Sequence, residues 1–122
     1  MQETEAAANL PLDAALEALA DRTRRRLLVA LLERAPAGET LRLPADVEFD
    51  HAGSTNLRVQ LWHCHLPKLA SAGFVEWSPE PGTVRRGPRF EEVESVLRAL
   101  YTRADEVPEG LPGTTPPTNG DR

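Results

Sequence analysis

Seven residues of this chain have types and spacings suited to one chemistry, the gripping of a nucleic-acid duplex. Gln60, His63, Lys68 and Ser71 recur on the outward or flanking positions of a segment that reads as a helix. Gln and Ser can exchange hydrogen bonds with base edges, and Lys can donate to guanine O6 and N7 or to a phosphate. Arg58 on the same segment, with Arg85 and Arg86 downstream and Arg89 just beyond, adds cations that can hold phosphates or enter a minor groove. The plainer reading makes the helix residues an ordinary solvated surface and pairs Arg85, Arg86 and Arg89 with Glu76 and Glu80 across a hairpin. A polar helix face followed at once by a basic hairpin favours the first.

Other chemistry finds less support. His63, Cys64 and His65, with His51 nearby, suggest zinc or copper, but consecutive helix residues point about 100° apart and cannot converge on one ion. His63 with a ligand from a partner chain could, yet no second Cys/His pair stands at finger spacing. No metal or other cofactor is expected. His65, beside Leu61 and Leu69, reads as a hydrogen-bonded structural histidine. Cys64 as a redox sensor lacks a resolving cysteine, being the only one in the chain. Arg22, Arg24, Arg25 and Arg26 form a basic run near a helix start, an unfavourable end for cations, and read either as phosphate contacts or as a solvated face with salt bridges. No Gly-rich phosphate loop and no nucleophile with an evident base appears, so no catalysis is expected.

The elements that must position the seven residues follow from hydrophobic period. From Leu57 to Ala72, the apolar Val59, Leu61, Trp62, Leu66, Leu69 and Ala72 share a wide arc, opposite Gln60, His63, Cys64, Pro67 and Ser71. Ser54 or Asn56 can cap this helix. Pro67 lacks an N–H and presses on the carbonyl of His63, so a kink is expected near 63–67. Leu57, Val59 and Leu61 also alternate, which leaves a strand open as the alternative for that stretch. Ala72-Gly73 stops the helix, since Gly accepts the left-handed conformation. Phe74 to Trp77, the turn Ser78-Pro79-Glu80-Pro81-Gly82, and Thr83 to Arg86 read as strand, turn and strand.

Around this unit, Asn9 can cap a first helix with Pro11 in its opening turn and Leu12, Leu16 and Leu19 as its buried stripe. Asp21, or Thr23, opens a second helix buried through Leu27, Leu28, Leu31 and Leu32. Leu41 and Leu43 face inward from a short strand, 39–43. The stretch 44–54 has Pro, Gly and no helical stripe, with at most one turn over 45–49. Phe90 to Arg103 is amphipathic, with Val93, Val96, Leu97, Leu100 and Tyr101 on one side. Residues 1–9 are expected to fray, and the Pro/Gly/Thr-rich tail 107–122 to be disordered, leaving one domain over 10–106.

Two stretches carry a resemblance. LADRTRRRLLVALLER resembles the Leu-Ala-Asp-Pro-Thr-Arg opening of ArsR-like regulators, with Arg22 where those have Pro. HLPKLASAGFVEW resembles the end of the recognition helix and first wing strand of the same winged helix-turn-helix proteins. The motif His63, His65, Leu66, Pro67, Lys68, Leu69 is closer still to small winged-helix proteins of salt-loving archaea. The resemblance implies a mainly α fold with a small β-sheet in the order α-α-β-α-β-β-α, here with an abbreviated positioning helix. It also implies a homodimer through the terminal helices, on double-stranded DNA at a roughly palindromic site.

Composition bears on this in one place. The 122 residues carry a net charge of −5, which at face value opposes a nucleic-acid partner. Lys68 is the sole lysine against many arginines and acids, a bias the archaeal resemblance implies for a cytoplasm of molar salt. There the Debye length is about 3 Å, and charge placement outweighs charge total. No apolar run suits a membrane span, the N-terminal MQETEAAANL lacks a signal pattern, and a reducing cytoplasm is expected. The expected function is a DNA-binding transcription regulator. The rival is a winged-helix module that binds protein, and a metal- or redox-responsive regulator using His63, Cys64 and His51 comes third.

Overall fold

The computed structural model describes residues 10–49 and 55–113. It is mainly helical with a small three-stranded antiparallel sheet, in the order α-α-β-α-β-β-α. Helix α1, Pro11–Leu19, starts with proline at a position where a missing N–H is harmless, its N-cap being Leu10. The capping expected of Asn9 lies outside the described residues. The stripe expected along α1 is corrected: Ala15, Ala18 and Leu19 are buried, while Leu12 and Leu16 stand 56 % and 51 % exposed. Alanines let α1 approach its neighbours α2 and α4 more closely than leucines would, so the small face turns inward.

Helix α2, Arg22–Arg34, is capped by Asp21, whose Oδ1 accepts the Arg24 N–H at 3.1 Å. Thr23 falls inside the helix. Leu27, Leu28 and Leu31 are wholly buried, with Leu32 packed at their edge. Strand β1 is shorter than the expected 39–43, covering Leu41–Arg42; Leu41 within it and Leu43 in the turn after it are both buried as expected. Beyond it the helical turn expected over 45–49 does not form. Residues 43–46 make hydrogen-bonded turns instead, with Asp46 N–H to Arg42 O at 2.8 Å, and Val47 and Phe49 seal the core.

Helix α3 covers residues 55–71 as three continuous stretches, α-helical Thr55–Gln60, π-helical Leu61–His65 and α-helical Leu66–Ser71. The strand alternative for 57–61 is thereby ruled out. Asn56 lies inside the helix, and Ser54 lies outside the described residues. The kink expected at Pro67 takes the form of a widened turn. The Leu66 N–H reaches Leu61 O, five residues back, and Pro67 follows in the first turn of the next stretch, where its N–H is not needed. The extra residue in that turn lets consecutive His65 and Leu66 both face the core. Leu57, Leu61, Leu66 and Leu69 make the buried side; Val59, expected among them, is 48 % exposed.

Gly73, at φ 85°, ends α3 as expected, and the Phe74 N–H closes the end on Leu69 O. Strands β2, Val75–Ser78, and β3, Thr83–Arg86, form the expected hairpin, with Glu76 opposite Arg85 and Trp77 opposite Val84. Strand β3 lies between β1 and β2. Helix α4, Phe90–Thr102, buries Phe90, Val93 and Leu97 and has Glu91 and Glu92 in its first turn, where the helix dipole favours acids. A 3₁₀ turn, Ala104–Glu106, follows.

The tail departs from expectation. Residues 107–113 fold back over the helices, with Leu111 only 7 % exposed. Arg25 Nε donates to Gly110 O at 3.1 Å, and the Tyr101 hydroxyl donates to Pro112 O. A single leucine among Pro and Gly anchors the segment, and its composition hid that.

Candidate nucleic-acid interface

Five of the seven candidate residues are carried by one helix. Arg58, Gln60, His63, Lys68 and Ser71 are all exposed along α3. The Arg58 guanidinium sits over the Trp62 ring, 4.3 Å from its centroid. Lys68 Nζ pairs with Glu17 Oε2 on α1 at 2.9 Å, and its hydrogen bond and charge hold the Glu17 carboxyl below the usual carboxylate range. Both partners are well exposed, so the pair is worth little and can be exchanged for another anion.

The hairpin arginines are different. Arg85 Nε donates to Glu76 Oε1 at 2.8 Å directly across the ladder, the pairing set out above as the plainer reading. Arg86 is corrected outright as a free cation. Its Nε donates to Ala35 O at 3.0 Å and its Nη2 to Leu32 O at 3.0 Å and Leu31 O at 3.2 Å, with Phe90 stacked at 4.8 Å. Leu31 O also takes the Ala35 N–H at 3.2 Å, but Leu32 O and Ala35 O lie beyond the last turn's own bonds, and together they carry the negative end of the α2 dipole and draw in the guanidinium. Arg89 pairs with Glu92.

The basic run also has a role that neither expectation described. Arg24, 7 % exposed, donates through Nε to Ala18 O and through Nη2 to Glu17 O, each at 2.9 Å, and its Nη1 lies 3.1 Å from His65 Nδ1. Arg25 Nη1 donates to Leu19 O at 2.7 Å. These arginines close the C-terminus of α1 from the first turn of α2. The signal was legible in principle: a helix that ends at Leu19, three residues before a basic run opening at Arg22, leaves carbonyls for the arginines to satisfy.

His65 is the buried, hydrogen-bonded histidine expected from sequence. A guanidinium can only donate, so Nδ1 accepts and the ring proton sits on Nε2, which faces Asp21 Oδ1 at 3.7 Å. Burial, and then the Arg24 charge, push its pKa below the usual histidine value, against an upward pull from Asp21. The unfolded chain therefore binds the proton more tightly than the folded one. The stability contributed by the neutral ring is complete above about pH 6.5, the unfolded value, and falls as pH drops through the folded value. Melting curves between pH 7.5 and 5 should show wild type losing more stability than His65→Gln; parallel losses would remove His65 as the cause.

His63 and Cys64 are exposed while His65 points into the core, so the three do not converge, and His51 lies outside the described residues. Among the described residues no group of three potential ligands is close enough to hold a metal ion. None of their helices is long and apolar enough to cross a membrane.

Trp62, expected in the core, is half-buried. It packs edge-on to Trp77 at 6.1 Å and donates Nε1–H to Pro79 O at 3.4 Å, joining α3 to the hairpin turn. This small helical domain, with its sheet hairpin locked to its third helix, matches the family model described as a domain of unknown function (DUF7344) over residues 16–85. That is more than half of the chain, and the chain belongs to this family. The match runs from α1 to β3 and takes in Arg24, Arg58, Trp62 and His65. No curated protein and no solved structure matches the chain.

Proposed function

We propose that this domain is a winged helix-turn-helix of ArsR-like kind and acts as a DNA-binding transcription regulator in the cytoplasm, with α3 in the major groove. One observation carries the reading. In a chain with 19 acidic residues, no Asp or Glu occurs between Asp50 and Glu76, and that acid-free span holds all of α3, Arg58, Lys68 and all three histidines. The one helix that must lie against phosphates is the one free of negative charge. Gln60, His63, Lys68 and Ser71 face base edges, Lys68 exchanging Glu17 for the duplex; Arg58 lies on the flank, and Arg85 joins only after leaving Glu76. Arg86 has no part in the contact.

Gel shifts on the protein's own promoter region in potassium chloride test this. Wild type should shift the fragment, and the Gln60→Ala/His63→Ala double variant should bind about 30-fold more weakly, the loss of about 2 kcal/mol from one to two base contacts. Absence of a shift at every salt concentration removes the reading. It would favour the rival module that binds protein, which the Lys68–Glu17 and Arg85–Glu76 pairs suit, since they mute the cations on this face.

The same reading calls for a homodimer. Leu10, Leu12 and Leu16 stand about half exposed on α1, beside α4. Light scattering should give twice the 13.4 kDa chain mass for wild type and a single chain mass for Leu12→Lys/Leu16→Lys. A monomeric wild type would remove the dimer.

A further inference from the structure

Arg58 differs from the other cations of α3 and the hairpin. Lys68, Arg85 and Arg89 each pair with a carboxylate, and Arg86 is spent on the carbonyls that end α2. Arg58 has no carboxylate partner among the described residues, and its guanidinium lies on the Trp62 indole. That indole is itself held from three sides: by the edge of Trp77, by Pro79 O, and by the backbone of Gly82, where a Cβ would stand 3.2 Å from Trp62 Cζ2. The cation thus rests on a platform that spans α3 and the β2–β3 turn.

From this arrangement we infer that Arg58, mounted on Trp62, is a clamp for one phosphodiester of the duplex backbone, and that Trp62 is its positioning residue. This rests on the DNA-binding reading above and deepens it. The indole covers one side of the guanidinium and leaves N–H donors for the two free oxygens of a phosphate. An arginine already laid on a ring loses less rotamer freedom on binding than one waving in solvent. Its place decides between phosphate and base. The outward centre of α3, opposite Leu57, Leu61 and Leu69, is occupied by Val59, Gln60 and His63. Arg58 and Trp62 lie on the flank against the hairpin, and a helix in the groove with a hairpin beside it leaves that seam for the sugar-phosphate strand. Exposed Val59, with no charge to offer a phosphate, suits a base edge such as a thymine methyl.

The test uses the full chain and a duplex selected by wild type from a random pool, with affinity measured by fluorescence anisotropy over a range of potassium chloride concentrations. Each neutralised phosphate contributes about −0.9 to the slope of log K against log salt. Arg58→Gln should make the slope less steep by about 0.9, and reselection with this variant should return the same base preference. Trp62→Leu should weaken binding about tenfold while keeping the wild-type slope, with circular dichroism confirming that it is folded; if it does not fold, Trp62→Phe replaces it and should weaken binding less. An unchanged slope in Arg58→Gln, or a preference lost at one base position, overturns the clamp. Wild-type affinity in a folded Trp62 variant overturns the platform. A wild type that selects no sequence from the pool and binds no duplex overturns the DNA reading itself, a separate failure from the other two.

Discussion

Replacing Arg24 by methionine should lower the stability of the domain by about 3 kcal/mol, because its hydrogen bonds are buried, charge-assisted and have no substitute. The methionine fills much of the volume but leaves Ala18 O and His65 Nδ1 without a donor, and Glu17 O with only the Ala20 N–H. Orphaned buried acceptors cost about 1–3 kcal/mol each, against a total stability of about 5–15 kcal/mol for a domain. Arg24→Lys should recover little, since one ammonium cannot reach three acceptors spread over α1 and α3. Asp21→Ala, which removes the cap on the Arg24 N–H and a carboxylate 3.7 Å from His65 Nε2 but leaves the Arg24 guanidinium in place, should cost about 1 kcal/mol. Urea unfolding of the three variants checks the order. A loss in Arg24→Met no larger than that in Asp21→Ala would show that α1, α2 and α3 are held together by apolar packing alone.

Gly87→Ala should be damaging to a similar degree, by about 3 kcal/mol, for a reason of space. A Cβ on Gly87 would stand 2.5 Å from Gly73 O, 2.8 Å from Val75 N and 2.9 Å from Phe74 C, all backbone atoms. None can rotate away. Here the chain leaving β3 crosses the chain leaving α3, stitched by Gly87 N–H to Phe74 O at 2.9 Å and Arg89 N–H to Gly73 O at 2.8 Å. Relieving the overlap lengthens both bonds and lifts the hairpin from α3, so the proposed DNA binding should weaken along with stability. Gly38→Ala is the control: it meets no atom within 4 Å and bears only the strain of its positive φ, about 1 kcal/mol. Equal midpoints for the two variants in urea would show that the crossing relaxes freely.

Much of the architecture is written in local pattern. The Asp21 cap, the inward Leu41 and Leu43, the Gly73 stop and the strand–turn–strand of 74–86 are each decided by residues within one turn of the chain. The burial of His65 was legible too, from its position beside Leu61 and Leu69. So was the exposure of five of the seven candidate residues, since they share one helix and its period keeps each off the buried side.

Partner choice across the fold is what local pattern cannot hold. Whether α1 shows its leucines or its alanines to the core depends on how closely α2 and α4 approach it. A guanidinium looks the same in sequence whether it meets a phosphate, a carboxylate or a row of helix-end carbonyls. Arg86 meets the end of α2, and Arg24 the end of α1, because tertiary packing carries those helix-end oxygens within reach, from 51–55 residues away for Arg86 and 6–7 for Arg24. Residue type and period thus determined the helices, the hairpin and the polar face of α3 on their own. Only the folded arrangement decided which cations remain for another molecule, because helix-end carbonyls and carboxylates claim the nearest arginines first.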